Sequence, residues 1–364
     1  MTDKPSSPLP PLYTSWVETL LGNSIPPETR ATCHDCAMCE EGADHQAPGS
    51  SFFNPRTKCC TYLPEIYNFL AGQILADDDP LTARGRATVE ARINEGVAVT
   101  PLWLGRHPKY SLLYNNMEVH AFGRAQSLRC PHFIEADGLC GIWKNRNSIC
   151  STWFCRHERG LGGYHFWETA KNLLGAIEDD LSRWCVAELD IGEQALELLF
   201  KTRNPRQPRL IDLDSLENRA NSETQRRIWG RWFGREQEFY RECARMVTAL
   251  NWEGVLSVCG SRVRIRALLL KKSHEELTAV ETPPKLRVAR YTIEESGPDS
   301  YRLHPANALL ESLTLSKRVL GLLRHFDGRP TTDVIEEIIA EKKLRITPEL
   351  LRRLVDFKIL TPCE

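Results

Sequence analysis

From Phe166 to Cys185 the apolar residues Phe166, Trp167, Ala170, Leu173, Leu174, Ile177, Leu181, Trp184 and Cys185 recur with helical spacing. That period predicts an amphipathic helix with one buried face. A second run from Ser222 to Leu250 places Trp229, Trp232, Phe233, Phe239, Tyr240, Cys243, Met246 and Val247 on one stripe and predicts a single long helix. Aromatics among arginines also occur where proteins stack on nucleic-acid bases. At helical spacing, however, the stripe reads as core. Shorter helices are predicted at Ser15–Leu21, Leu63–Ala76, Leu81–Asn94 and 192–200, and a short strand at Val97–Leu104. Asp77-Asp78-Asp79-Pro80 stops the helix before it. Two stretches are loop-like in composition: 40–57, and the linker Asn204-Pro205-Arg206-Gln207-Pro208-Arg209. Gly138 to Asn147 reads as turns, and Gly160, Gly162 and Gly163 as a loop preceding the long helix.

The last part of the chain has its own pattern. Strands at Arg290–Ile293 and Tyr301–Leu303 flank the turn Gly297-Pro298-Asp299. Helices are predicted at Pro305–Glu311 and Leu315–Leu323. The turn Phe326–Thr332 then leads to helices at Thr332–Glu341 and Thr347–Phe357, and the pattern ends at Lys358-Ile359-Leu360. The whole reads as mainly α with short strands (α+β). The expected organisation is an N-terminal tail (1–30), a loop-rich cysteine domain (31–200), a basic helical region (201–285) and a small C-terminal domain (286–364).

Cysteine placement changes the picture most. Nine of the thirteen lie between positions 33 and 155. Three sit in Cys33-His34-Asp35-Cys36-Ala37-Met38-Cys39, two at Cys59-Cys60, and four at Cys130, Cys140, Cys150 and Cys155. In a Cys-x-x-Cys turn, two intervening residues let one tight turn aim both sulfurs at one ion. The candidate metal ligands are Cys33, Cys36, Cys39, Cys59, Cys60, Cys130, Cys140, Cys150 and Cys155. Sulfur donors suit zinc or an iron–sulfur cluster, and nine exceed the four of one mononuclear site. Two sites, or one polynuclear centre, are both compatible with that number. His34, His132 and His157 stand near cysteines and are candidates for supporting roles. Cys185, Cys243, Cys259 and Cys363 stand apart, as packed or free thiols.

Charge is uneven although the net is near zero. Residues 1–200 hold 17 Lys and Arg against 25 Asp and Glu, and residues 201–290 hold 19 against 11. The basic middle is either a solvated face or a site for an anionic partner. The proline-rich start lacks the apolar core of a signal peptide, and no apolar run approaches a membrane span. The expectation is a cytoplasmic protein with reduced thiols and no membrane partner. Phosphate loops, dinucleotide fingerprints, nucleophile elbows and His-Glu-x-x-His are all missing. The two-and-two cysteine spacing is not the three-and-two spacing of radical S-adenosylmethionine chemistry.

The run Cys130-x-x-Phe133, Gly138-x-Cys140-x-Ile142-Trp143-x-x-Arg146 and Cys150-x-x-Trp153, with Cys33, Cys36 and Cys39 ahead of it, resembles the bacterial YkgJ-type cysteine-cluster family. That family is described as zinc- or iron-chelating. Glu40 stands where its fourth opening cysteine is expected. Trp143, Asn147 and Ser151 depart from its tyrosine, proline and second arginine. The resemblance implies a metal-binding protein of undefined reaction. Some flagellin lysine methylases look like distant relatives through their cysteine clusters. That implies the alternative of an iron–sulfur-dependent enzyme modifying a protein or peptide, for example by methyl transfer. The C-terminal pattern is similar to a winged helix, and to the peptide-binding domains of the PqqD type. This implies a protein or peptide partner. A metal- or redox-sensing regulator is the third reading. It is weakened by the acidic residues Asp333, Glu336, Glu337 and Glu341, because a DNA-binding face needs clustered Lys and Arg.

Overall fold

The computed structural model describes residues 7–29, 33–39, 52–200, 217, 219–279, 282–305 and 312–363. It is mainly helical with short antiparallel strands, the class expected. No helix among these residues is long and apolar enough to cross a membrane. Contacts divide the described residues into two units. The first lies within 1–27, 31–153 and 170–268, the second within 28–30, 154–169 and 269–364.

In the first unit α1 (Pro11–Leu21) starts four residues earlier than predicted. Proline is well placed at a first helical position, where no amide partner is needed. Tyr13, Trp16, Val17 and Leu20 form its buried stripe. The helix expected from Leu63 begins only at Asn68. Pro64 disfavours a helical Leu63, and Ile66–Tyr67 is a strand, β1, paired antiparallel with β2 (Trp103–Leu104). Of the strand expected over Val97–Leu104 only β2 forms, with a bridge at Val99. Helix α2 (Asn68–Ala76) follows β1, and α3 (Ala83–Glu95) starts after a short 3-10 turn at Pro80–Thr82. Helix α4 (Pro108–Ala121) was not anticipated. Leu112, Leu113 and Met117 are exposed on it while Tyr114 is buried, so its apolar positions follow no single face.

Strands β3 (Phe133–Ile134) and β4 (Leu139–Cys140) form a hairpin, and α5 (Ser148–Thr152) follows. Helix α6 (Gly160–Glu188) includes Gly160, Gly162 and Gly163, which were expected to precede it. Helix α7 is Glu193–Phe200. The expected 204–209 linker and residues 40–51 of the expected loop lie outside the described residues.

The long helix predicted from Ser222 to Leu250 is broken. Helix α8 (Ser222–Trp229) gives way to a 3-10 turn at Gly230–Trp232, and α9 (Glu236–Thr248) follows. Gly230 and Gly234 take left-handed φ values of 50° and 81°, which a continuing helix does not allow. The stripe is nonetheless core: Trp229, Phe239, Tyr240, Cys243 and Val247 are fully buried. A Cβ on Gly72 of α2 would lie 1.7 Å from the Tyr240 carbonyl oxygen, so α2 and α9 meet backbone to backbone. Helix α10 (Trp252–Thr278) is kinked at Gly260, whose φ is 70°.

The second unit carries two three-stranded antiparallel sheets. One has β5 (Lys285–Val288) at its centre. The other runs β6 (Tyr291–Gly297), β7 (Ser300–Pro305) and β8 (Leu313–Ser316). The helix predicted at Leu315–Leu323 shrinks to α11 (Lys317–Leu320), because Leu315 and Ser316 belong to β8. Of the helix predicted at Pro305–Glu311, Pro305 ends β7 and the rest lies outside the described residues. Strand β9 (Asp327–Pro330) occupies the expected turn before α12 (Thr331–Lys342). Helix α13 (Pro348–Asp356) and β10 (Leu360–Pro362) complete the unit. Leu286, Phe326, Val334, Ile338, Leu354 and Ile359 are among its buried core residues.

Candidate metal centre

The β3–β4 hairpin organises the cysteines. Its turn is closed by Gly138 at φ 62°, a conformation glycine takes without strain. Cys130 lies just before β3 and Cys140 ends β4, opposite Phe133. Each sulfur is met by the amide two residues on: His132 N–H donates to Cys130 Sγ, and Ile142 N–H donates to Cys140 Sγ. Such bonds stabilise the thiolate over the thiol, the form that ligates metal. The hairpin is seated on α3 through two glycines. A Cβ on Gly85 would lie 1.8 Å from the Gly141 carbonyl oxygen, so no larger residue fits there without displacing Cys140's neighbour.

Four more sulfurs converge on this pair. Cys60 lies in a run of turns, and its carbonyl accepts the Cys130 amide at 2.7 Å. The Cys33 thiol donates to Cys59 and the Cys59 thiol to Cys60, linking three sulfurs in a chain. Cys150 rides on α5, capped by Asn147 Oδ1, which accepts the Cys150 amide at 3.0 Å. Cys140 interacts electrostatically with Cys130, Cys150, Cys60 and Cys33. Cys33, Cys59, Cys60, Cys130, Cys140 and Cys150 therefore form one cluster in the first unit.

Three cations serve it. Arg146 is buried, stacks on Trp143 at 3.4 Å, and donates Nη1 to the Cys150 carbonyl at 2.9 Å. Its charge favours the thiolates of Cys140, Cys33 and Cys150. Lys58 Nζ bridges the Cys33 and Gly138 carbonyls and favours the Cys33 thiolate. Arg92, also buried, favours the Cys130 thiolate. Burial of the thiols opposes all three cations. It raises the thiol pKa of Cys130 and Cys140 and pushes Cys150 up to about 12. Cys33 is raised by its hydrogen bond to Cys59 and by burial. For Cys60 the bond from Cys59 pulls down, while burial and the neighbouring cysteines push up further. Three cations cannot balance six thiolates. Metal ions would supply the missing positive charge.

Spacing bears on which metal the sulfurs suit. Among the described residues no three cysteine sulfurs lie all within 4.8 Å of one another. Tetrahedral zinc with Zn–S bonds of about 2.3 Å places its sulfurs roughly 3.8 Å apart. Six sulfurs exceed the four that one such ion takes.

The remaining candidates are placed differently. Cys36 and Cys39 form a turn in which the Cys39 amide donates to the Cys36 carbonyl at 2.9 Å, and Phe53 N–H ties this turn down at Met38. Cys155 and His157 belong to the second unit, where Phe154 packs on His157 and Trp167. His132 is buried, with Nδ1 at 2.7 Å from Thr88 Oγ1. Burial and the Arg92 charge lower its pKa to about 3, so the ring is neutral. Cys185 and Cys243 touch in the core, and Cys259 is also buried. In the second unit His325, Glu337 and Glu341 bring three ligand atoms together, but Glu337 already binds His325 Nδ1 and Arg329.

Sequence reasoning missed Lys58, Gly85 and the role of Arg146. Arg146 stood in the quoted motif without a function, whereas Gly85 left no signal. Comparison with protein-family models, with curated proteins and with solved structures finds no match for this chain.

Proposed function

We propose that the first unit is a metal-binding module of the cysteine-cluster type, with Cys33, Cys59, Cys60, Cys130, Cys140 and Cys150 as its thiolate donors. The observation that carries this reading is the hairpin with two amide-to-sulfur bonds, onto which four further thiols, Arg146 and Lys58 converge. A hydrophobic core gains nothing from so many thiols facing one another with amides aimed at their sulfurs. Six thiolates exceed the four of one zinc ion, and sulfur donors suit iron–sulfur clusters, which together favour a polynuclear iron–sulfur centre. When bound, such a centre supplies electron transfer. The protein residues hold the thiolates, shield Cys130 from water, and place positive charge beside Cys33, Cys140 and Cys150.

The second unit is read as a winged-helix-like module for a protein or peptide rather than for nucleic acid. Arg352 is engaged by the Glu276 and Leu277 carbonyls and by buried Asp356 at 3.3 Å, so it is not offered to a phosphate. Helix α12 is acidic at Asp333, Glu336, Glu337 and Glu341. An enzyme acting on such a partner is the second reading, favoured by a cleft that adjoins the cysteine cluster.

The test is differential alkylation followed by peptide mass spectrometry, on protein kept from air, with and without a strong chelator. Chelation should raise labelling at the six donors and leave Cys363 unchanged. Labelling of the six that does not respond to the chelator rules the assignment out.

A further inference from the structure

A cleft of about 410 Å³ opens in the first unit, lined in part by Tyr62, Arg106, Ile149 and Arg266. Tyr62 is two residues from Cys60 and Ile149 is adjacent to Cys150, so chain continuity alone sets its wall against the cysteine cluster. Its charges are not balanced. Of the four cations lining it, Arg262 is committed to Asp179 at 3.0 Å and to Asp180 at 2.5 Å. Of the three carboxylates, Asp179 is thereby neutralised. Glu178 is buried and saturated by the Tyr13 hydroxyl and by the amide and hydroxyl of Ser148. Arg106 lies over the Tyr62 ring at 4.5 Å and donates to its hydroxyl, yet its buried Nε has no partner among the described residues. No acceptor for Arg266 is found among the described residues. Against these two guanidiniums stands only Glu65.

We propose that this cleft binds a small organic anion, a carboxylate or a phosphate ester, held by Arg106 and Arg266 beside the cysteine cluster. Guanidinium forks match both oxyanions. The partly enclosed wall lowers the dielectric around the pair, which strengthens the attraction. The Tyr62 and Tyr67 rings supply apolar surface for the remainder of the molecule. This site does not depend on which metal, if any, the thiols hold.

The test is isothermal titration with inorganic pyrophosphate and, separately, with succinate at low ionic strength, on metal-loaded and chelator-treated protein. At least one anion should bind, and Arg266→Ala and Arg106→Ala should each weaken it about tenfold, the loss of one charge-assisted contact. Arg245→Ala, on the exposed face of α9, should leave it unchanged. Which anion binds separates the phosphate from the carboxylate source. Arg266→Glu, at a half-buried position, keeps the test decisive if Arg106→Ala fails to fold. Absence of binding by both anions, or affinity equal in wild type and Arg266→Glu, overturns the proposal. Intact metal content in the arginine variants would keep such a failure separate from the metal assignment.

Discussion

Cys140→Ser is expected to lose bound metal and to melt well below the wild type. Cys140 interacts with four other thiols of the cluster, and its sulfur is aimed by the hairpin and held by the Ile142 amide. Removing even an outer partner of a metal ligand weakens binding by about 10- to 100-fold, so loss of the ligand itself should exceed 100-fold. Metal affinity becomes folding free energy where loops have few other contacts. The hairpin has two residues per strand, and it is joined to the body through Gly85, Lys58, the Cys60 carbonyl and the exposed ion pairs of Glu135 with Arg56 and of Asp137 with Arg84. Cys363→Ser, at the far end of the chain, should change neither property. Equal metal content and equal melting in Cys140→Ser and wild type would remove Cys140 from the centre.

The second large effect belongs to Glu178. This carboxyl is buried, accepts from Tyr13 and from both donors of Ser148, and burial lifts its pKa to about 7. An unfolded glutamate titrates near about 4.3. The folded state therefore binds the proton more tightly. Its contribution to stability is fully present below about pH 4.3 and is lost as pH rises through about 7, with no further change above. The gap corresponds to about 4 kcal/mol. Glu178→Gln keeps an acceptor for Tyr13 and Ser148 but cannot ionise. Urea unfolding at pH 5 and pH 8 should show the variant gaining up to about 3 kcal/mol on the wild type between the two. A difference of the opposite sign would contradict the burial argument.

Much of this architecture was legible along the chain, for physical reasons that differ by segment. Helix α6 could be read because Phe166, Leu173, Ile177 and Leu181 all face the core, so burial and period coincide. Helix α4 could not, because Leu112, Leu113 and Met117 face outward and blur its period. Most of the aromatic stripe from Trp229 to Val247 is core, as its spacing predicts, but Phe233 is exposed and Gly230 and Gly234 break the helix. Cys-x-x-Cys spacing singled out Cys33, Cys36 and Cys39, of which Cys33 joins the cluster, while the other five members stood out only by their concentration between positions 59 and 150. That Cys33, Cys59 and Cys60 meet Cys130, Cys140 and Cys150 depends on long-range contacts, which spacing does not encode. Gly85 and Lys58 act through backbone atoms of distant segments, and nothing in their neighbouring residues marks them.

The central claim, a thiolate metal centre in the first unit, is tested most directly by metal and acid-labile sulfide analysis, with a visible spectrum, of protein purified without air. Six thiolate donors in a polynuclear centre predict iron with sulfide in comparable amount and a brown protein whose colour is lost in Cys140→Ser. Full occupancy by zinc, in a colourless protein, would keep the centre but contradict its polynuclear form. Protein that is folded and active in thiol alkylation at all six positions, with no metal bound, would contradict the claim itself.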